Sequence, residues 1–207
     1  PMNITIAVGQ ATNSIAYSYD NGLTWTGLGT TIFNGIGYVI AWNGTMWVAG
    51  GNGTNTLAYS YNGINWIGLG TTIFDNTSFG VAWNGTMFVA TGNSVNTLAY
   101  SYNGLTWTGL GKTIFDTSCL GISWNNSQWV AVGQGTNTIA SSTNNGVSWT
   151  GIATGSSPFS TSSLKNFLES NIPISFHALS SWNVQPKTST KDFAISFLLI
   201  LPFVILC

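Results

Sequence analysis

The chain has 207 residues, of which only 4% are charged, four of them basic and five acidic, giving a net charge of −1. Ordinary domains carry about 25% charged residues. There is no arginine, and the basic residues are Lys112, Lys165, Lys187 and Lys191, so the electrostatic footprint of a nucleic-acid binder is excluded and no nucleic-acid partner is expected.

The chain opens on Pro1-Met2-Asn3 and enters an apolar pattern directly. It shows no basic segment followed by an apolar one, so no signal peptide is expected and the cellular location is left open. An internal repeat then dominates. Thr31-Ile32-Phe33 returns as Thr72-Ile73-Phe74 and Thr113-Ile114-Phe115, each step 41 residues. Trp42, Trp83 and Trp124 are spaced likewise, as are Val48, Val89 and Val130, and Asn13, Asn55, Asn96 and Asn137 recur at nearly the same interval. A period near 41 is that of a four-stranded propeller blade.

Each unit divides into four short strands. In the second unit they are read as 38–42, 46–50, 56–61 and 66–69. Asn43-Gly44 joins the first two, a two-residue hairpin signal that Asn84-Gly85 repeats and Asn125-Asn126 nearly repeats. Along Leu57-Ala58-Tyr59-Ser60-Tyr61 one face is Leu and Tyr while the other is Ala and Ser, and Met46-Trp47-Val48-Ala49 is apolar on both faces. Strands covered on both sides read this way. Small residues on one face let a neighbouring sheet approach, and aromatics on the other fill the wedge between blades.

The last two strands of each unit are joined by a turn of one type. Its copies are Ser18-Tyr19-Asp20-Asn21-Gly22-Leu23-Thr24-Trp25, then Ser60, Asn62, Gly63 and Trp66, then Ser101, Asn103, Gly104 and Trp107, then Ser142, Asn144, Gly146 and Trp149. Asp or Asn bonds its own backbone two residues on, and Gly supplies a positive φ without steric cost. The Trp is expected to open the last strand and to be buried. The pattern resembles the Asp box, or BNR repeat, of sialidases and other β-propellers. Ser18–Trp25 matches it fully, Ser142–Trp149 matches with Asn for Asp, and the middle copies are one residue shorter. The resemblance covers roughly residues 4–155 and implies a structural turn, away from the catalytic face. It is specific for fold and weak for function.

The expected architecture is all-β: residues 1–155 form an incomplete β-propeller of about four blades, and residues 156–207 a Ser-rich segment and irregular hydrophobic tail. Residues 4–28 supply three strands with the innermost missing, and 37–69, 78–110 and 119–152 supply four each. After Ile152 the repeat fails. Leu164, Phe167 and Leu168 fit one or two helical turns. Phe193 to Cys207 is an apolar run of 15 residues interrupted by Pro202. A membrane helix needs about 20. The run reads as a short tail anchor with membrane contact, as a strand or stub packed on the blades, or as non-native sequence after a truncation or frame change.

Chemistry is scarce. Sialidases use a Tyr nucleophile, and the family grips the substrate carboxylate with an arginine triad, for which this chain has no arginine. Asp75 and Asp116 occupy equivalent repeat positions and read as turn acids, and Glu169 lies outside the repeats. The single His177, with Cys119 and Cys207 far apart, gives no zinc set, no triad and no CxxC, so no metal or cofactor is expected. Cys119 reads as a buried free thiol. Six N-x-[ST] sequons, at Asn3, Asn43, Asn52, Asn76, Asn84 and Asn125, matter only in a secretory pathway. The expected function is a non-enzymatic repeat scaffold that binds carbohydrate or protein. The alternative is a fragment of a sialidase-like glycoside hydrolase whose catalytic residues lie outside this chain. An arc of blades leaves two faces and their strand edges uncovered, so self-association is also expected.

Overall fold

The computed structural model describes residues 4–153 and 204–205. Its strands are β1 (Thr5–Val8), β2 (Ile15–Ser18), β3 (Thr26–Gly27), β4 (Gly37–Trp42), β5 (Trp47–Gly51), β6 (Leu57–Ser60), β7 (Ile67–Gly68), β8 (Ser78–Trp83), β9 (Phe88–Gly92), β10 (Leu98–Ser101), β11 (Thr108–Gly109), β12 (Ser118–Trp124), β13 (Trp129–Gln134), β14 (Asn137–Ser142), β15 (Thr150–Ala153) and β16 (Val204–Ile205). They form four four-stranded antiparallel sheets, ordered β16-β1-β2-β3, β4-β5-β6-β7, β8-β9-β10-β11 and β12-β13-β14-β15. The fold is an incomplete β-propeller of four blades.

The innermost position of the first blade, empty in the repeat pattern, is filled from the far end of the chain. Ile205 and Val204 pair with Ile6 and Ala7. This matches the packed-strand reading of the apolar tail, at Val204–Ile205. The helical turns at Leu164–Leu168, His177, Glu169 and the rest of the tail lie outside the described residues.

Three apolar clusters hold the four blades, and each lies between two of them. Ile6, Val8 and Ile15 of the first blade pack with Ile40, Trp47, Ala49 and Ala58 of the second. Met46, Val48 and Leu57 of the second pack with Val81, Phe88, Ala90 and Trp107 of the third. Met87, Val89 and Leu98 of the third pack with Trp129, Ala131 and Ala140 of the fourth. The alternation seen along β6 produces this: Leu57 and Tyr59 face the next blade while Ala58 faces the previous one. Phe33, Phe74 and Phe115 seal the seams and are fully buried. Each ring lies over a glycine of the middle strand: a Cβ on Gly51, Gly92 or Gly133 would stand 2.6, 2.5 or 2.6 Å from the ring. Among the described residues no fourth cluster joins the last blade to the first.

Two local expectations change. The loop closed by Asn43-Gly44 has four residues, since pairing ends at Trp42↔Trp47. The Asn43 side-chain oxygen accepts from the N–H groups of Thr45 and Met46, at 2.9 and 2.8 Å, and this Asx turn widens the hairpin. The inner strands also carry a bulge, at Gly37/Val39, Ser78/Gly80 and Cys119/Gly121. It sets Tyr38 and Phe79 edge to face, their centroids 5.6 Å apart.

Candidate functional site

Antiparallel pairing sorts the connections into two groups. The turns after the first and third strands of a blade lie at one end, here the turn end. The connection between the middle strands and the loop to the next blade lie at the other, the loop end.

At the turn end the four Ser/Asx/Gly/Trp turns share one bonding scheme. The Ser hydroxyl is buried in all four. It donates to the Asx side chain, 2.6 Å from Ser18 to Asp20 and 3.2 Å from Ser60 to Asn62. It accepts from the N–H of Gly22, Gly63, Gly104 and Gly146 at 2.8–3.0 Å. The Asx oxygen accepts in turn from Thr24, Asn65, Thr106 and Ser148 N–H at 2.8–3.1 Å. Each turn glycine has φ between 72° and 88°. The longer copies fit one more residue by placing Asn21 and Asn145 in the left-handed region, at φ 58° and 59°. Asn tolerates that conformation better than most residues.

The tryptophans depart from expectation. The last strand starts one residue after each of them, so the Trp closes the turn. Its indole N–H donates to the glycine carbonyl three residues back, at 2.9, 3.0, 3.1 and 2.9 Å for Trp25, Trp66, Trp107 and Trp149. That bond requires the ring edge to stay near the turn. Only Trp107, at 9% exposure, counts as buried, and the other three are half-buried.

A second feature of the turn end is a repeated tyrosine pair. Tyr17–Tyr19, Tyr59–Tyr61 and Tyr100–Tyr102 meet edge to face with centroids 5.3, 5.8 and 5.9 Å apart. The inner ring packs on the seam core, and the outer ring is exposed, at 47, 61 and 57% for Tyr19, Tyr61 and Tyr102. In the fourth blade Ser141 and Thr143 stand in these places. There a shallow polar hollow of about 150 Å³ opens between Ser141, Ser142, Thr143, Asn144, Ser148 and Thr150.

The loop end is organised by the recurring asparagines. Asn55 accepts from Gly70 N–H of the outgoing loop at 2.9 Å and donates to Ile32 O of the incoming loop at 2.8 Å. Asn96 does the same with Gly111 and Ile73, at 2.8 and 2.7 Å. Asn13 keeps the bond from Gly29 N–H at 2.8 Å and donates to its neighbour Thr12. The period marks these residues, but only the structure assigns them the role of clipping three loops together.

The carboxylates are spent on neighbouring hydroxyls and backbone N–H groups. Asp20 is held at about 2 by hydrogen bonds from Ser18 and Thr24. Asp75 is lowered by hydrogen bonds from Ser94 and Val95, and Asp116 by those of Thr136, with Lys112 adding to both. Burial raises the Tyr38 phenol and pushes the Cys119 thiol far up, and the thiol sits between the carbonyls of Gly121 and Val132. Among the described residues no three His, Cys, Asp or Glu side chains come together.

No family model matches the chain, and no curated protein does. Solved structures do. A chain of a nidogen/laminin complex superposes with a TM-score of 0.54 at 10% identity, over 72% of this chain and 61% of that one. This likeness is one of fold. Also similar are a GH74 enzyme of Niastella koreensis, with TM-score 0.49 and 24% identity over 73% of this chain and 22% of that one, and a computationally designed protein, Ika8, with TM-score 0.49 and 14% identity over 68% and 43%. The chain thus spans about a fifth of the GH74 chain's length.

Proposed function

We propose that this chain is a non-enzymatic binding scaffold of the Asp-box propeller type, whose ligand is carbohydrate or protein. The observation that carries the reading is the state of its acids. All three carboxylates among the described residues accept hydrogen bonds from turn or loop groups and are held below their ordinary range. A general acid needs the opposite, a carboxyl raised toward neutrality. The Tyr38 phenol is likewise shifted away from ionisation. Rigid blades presenting neutral polar turns and exposed tyrosines are instead suited to recognition.

A glycan array together with a protein pull-down tests the reading. Specific capture in either supports it, and silence in both refutes a binding role. The coding sequence upstream tests the enzymatic alternative: further blades bearing arginines and a Tyr–Glu pair would revive it.

A further inference from the structure

Three large aromatic side chains stand in water at equivalent places on three successive blades. Tyr19, Tyr61 and Tyr102 are about half exposed or more, so their burial contributes little to the fold. The fourth blade forms the same turn with Thr143 in that place. The turn therefore does not need the ring.

The rings are also positioned. Each outer tyrosine meets an inner one at an interplanar angle of 67–80°. Each inner tyrosine packs on the same seam cluster as the turn tryptophan of the following blade: Tyr17 with Trp66, Tyr59 with Trp107, Tyr100 with Trp149. An aromatic ring with two side-chain torsions, braced by a ring anchored in the core, loses little entropy when a ligand lands on it.

The surroundings select the ligand. The described charged residues are Asp20, Asp75, Lys112 and Asp116, and only Asp20 lies at the turn end. Among the described residues no cation is there to grip an anionic polymer. Beside Tyr61 and Tyr102 lie neutral side chains, Asn62 and Asn103, and beside Tyr19 lies Asp20.

We infer that Tyr19, Tyr61 and Tyr102 are stacking platforms for an uncharged polysaccharide, with one sugar-binding position on each of the first three blades. The inference rests on the binding-scaffold reading and names its ligand. A polymer suits the site because the platform recurs on three blades, and once one is occupied a second contact on the same strand is intramolecular.

The test is affinity electrophoresis of the full chain through gels containing a soluble β-glucan, a mannan or an anionic polysaccharide. The variants are Y19A, Y61A and Y102A, singly and together, and the matching Tyr→Phe set, with circular dichroism confirming the fold. The expected result is retardation by a neutral polysaccharide, weakened about 2- to 10-fold by each single Ala variant. The triple variant should abolish it and the Phe variants should retain it. Equal retardation of the triple Ala variant overturns the platforms but leaves the scaffold reading standing. So does retardation by the anionic polymer alone, or capture of a protein ligand with no retardation by any polysaccharide. Absence of both kinds of ligand overturns the inference and the reading together.

Discussion

Asn96 offers a test of how the blades are joined. Its side chain bonds the outgoing loop through Gly111 N–H and the incoming loop through Ile73 O. Asn96→Ala removes two hydrogen bonds of about 0.5–1.5 kcal/mol each and strands backbone groups worth about 1–3 kcal/mol where water cannot replace them. The site is half-buried, so the sum is taken at about 2–4 kcal/mol. Asn13 is the internal control, because it lacks the bond to an incoming loop. Asn13→Ala should cost about half as much. Terminal blades have fewer neighbours and lose less in any case, so a second pair of variants separates the two causes. Asp keeps the acceptor but not the donor. Asn13→Asp should be nearly neutral, because Gly29 N–H still finds an oxygen. Asn96→Asp should be destabilising, because a carboxylate then faces the Ile73 carbonyl. Urea denaturation with a common m-value is the assay. Equal effects of the Asp substitution at both positions would refute the clip between blades.

Three further outcomes are expected. Trp129 is fully buried with its indole N–H unpartnered, whereas Phe88 fills the equivalent place in the third blade. Trp129→Phe therefore offsets lost packing of about 1–2 kcal/mol against relief of an unmet donor of similar size, and should lie within about 1 kcal/mol of wild type, while Trp129→Ala costs about 3–5 kcal/mol. Thermal melts of the two variants decide it, and a Phe variant as unstable as the Ala variant contradicts the assignment. Asp20 has a folded pKa of about 2 against an ordinary 3.8, so its stabilisation is full above about pH 4 and fades as pH falls toward 2. Asp20→Asn should fold normally at pH 7, as Asn144 does in the same eight-residue turn, and should flatten the acid limb of a stability–pH profile. Gln128→Met with Ser141→Tyr should drive self-association through the outer face of the fourth blade, visible in light scattering as mass rising with concentration where wild type rises less.

The repeat made the blade legible. Hydrophobic alternation along Leu57–Tyr61 placed its two faces correctly, and the Thr-Ile-Phe period, read only as a repeat marker, falls on the buried ring of every seam. What escaped were details decided by partners distant in sequence. The apolar tail offered a strand among three readings, but nothing in it singled out Val204–Ile205 as the pair for Ile6 and Ala7, nearly two hundred residues away. Asn55 and Asn96 show their period but not their bonds, which reach 23 residues back to Ile32 and Ile73. The turn tryptophans were read as buried from their size. The indole N–H bond to the glycine carbonyl holds three of them at the rim instead.

The departures from the repeat carry more information about the ends than the repeat itself. Met87, Val89, Leu98 and Tyr100 form the face that the third blade turns toward the fourth. On the fourth blade these positions are Gln128, Val130, Ile139 and Ser141. On the first blade, Thr5 stands where the others have Trp47, Phe88 and Trp129. The expectation of self-association rests on the outer faces of the arc. On the fourth blade Gln128 and Ser141 replace two of the large side chains through which neighbouring blades interlock, as in capping repeats with a polar outer face, while Val130 and Ile139 stay apolar. The missing aromatics would each bury about 150–250 Å², or about 4–6 kcal/mol at 25 cal/mol per Å². Association must also overcome about 4–15 kcal/mol of lost freedom, so without those rings a seam between two chains has little surplus to hold it. Strand edges are left as the remaining drive, and they act along the sheet, not across its face. Gln128→Met and Ser141→Tyr restore the face of the fourth blade and leave the edges alone, so the difference in mass between variant and wild type measures the face by itself.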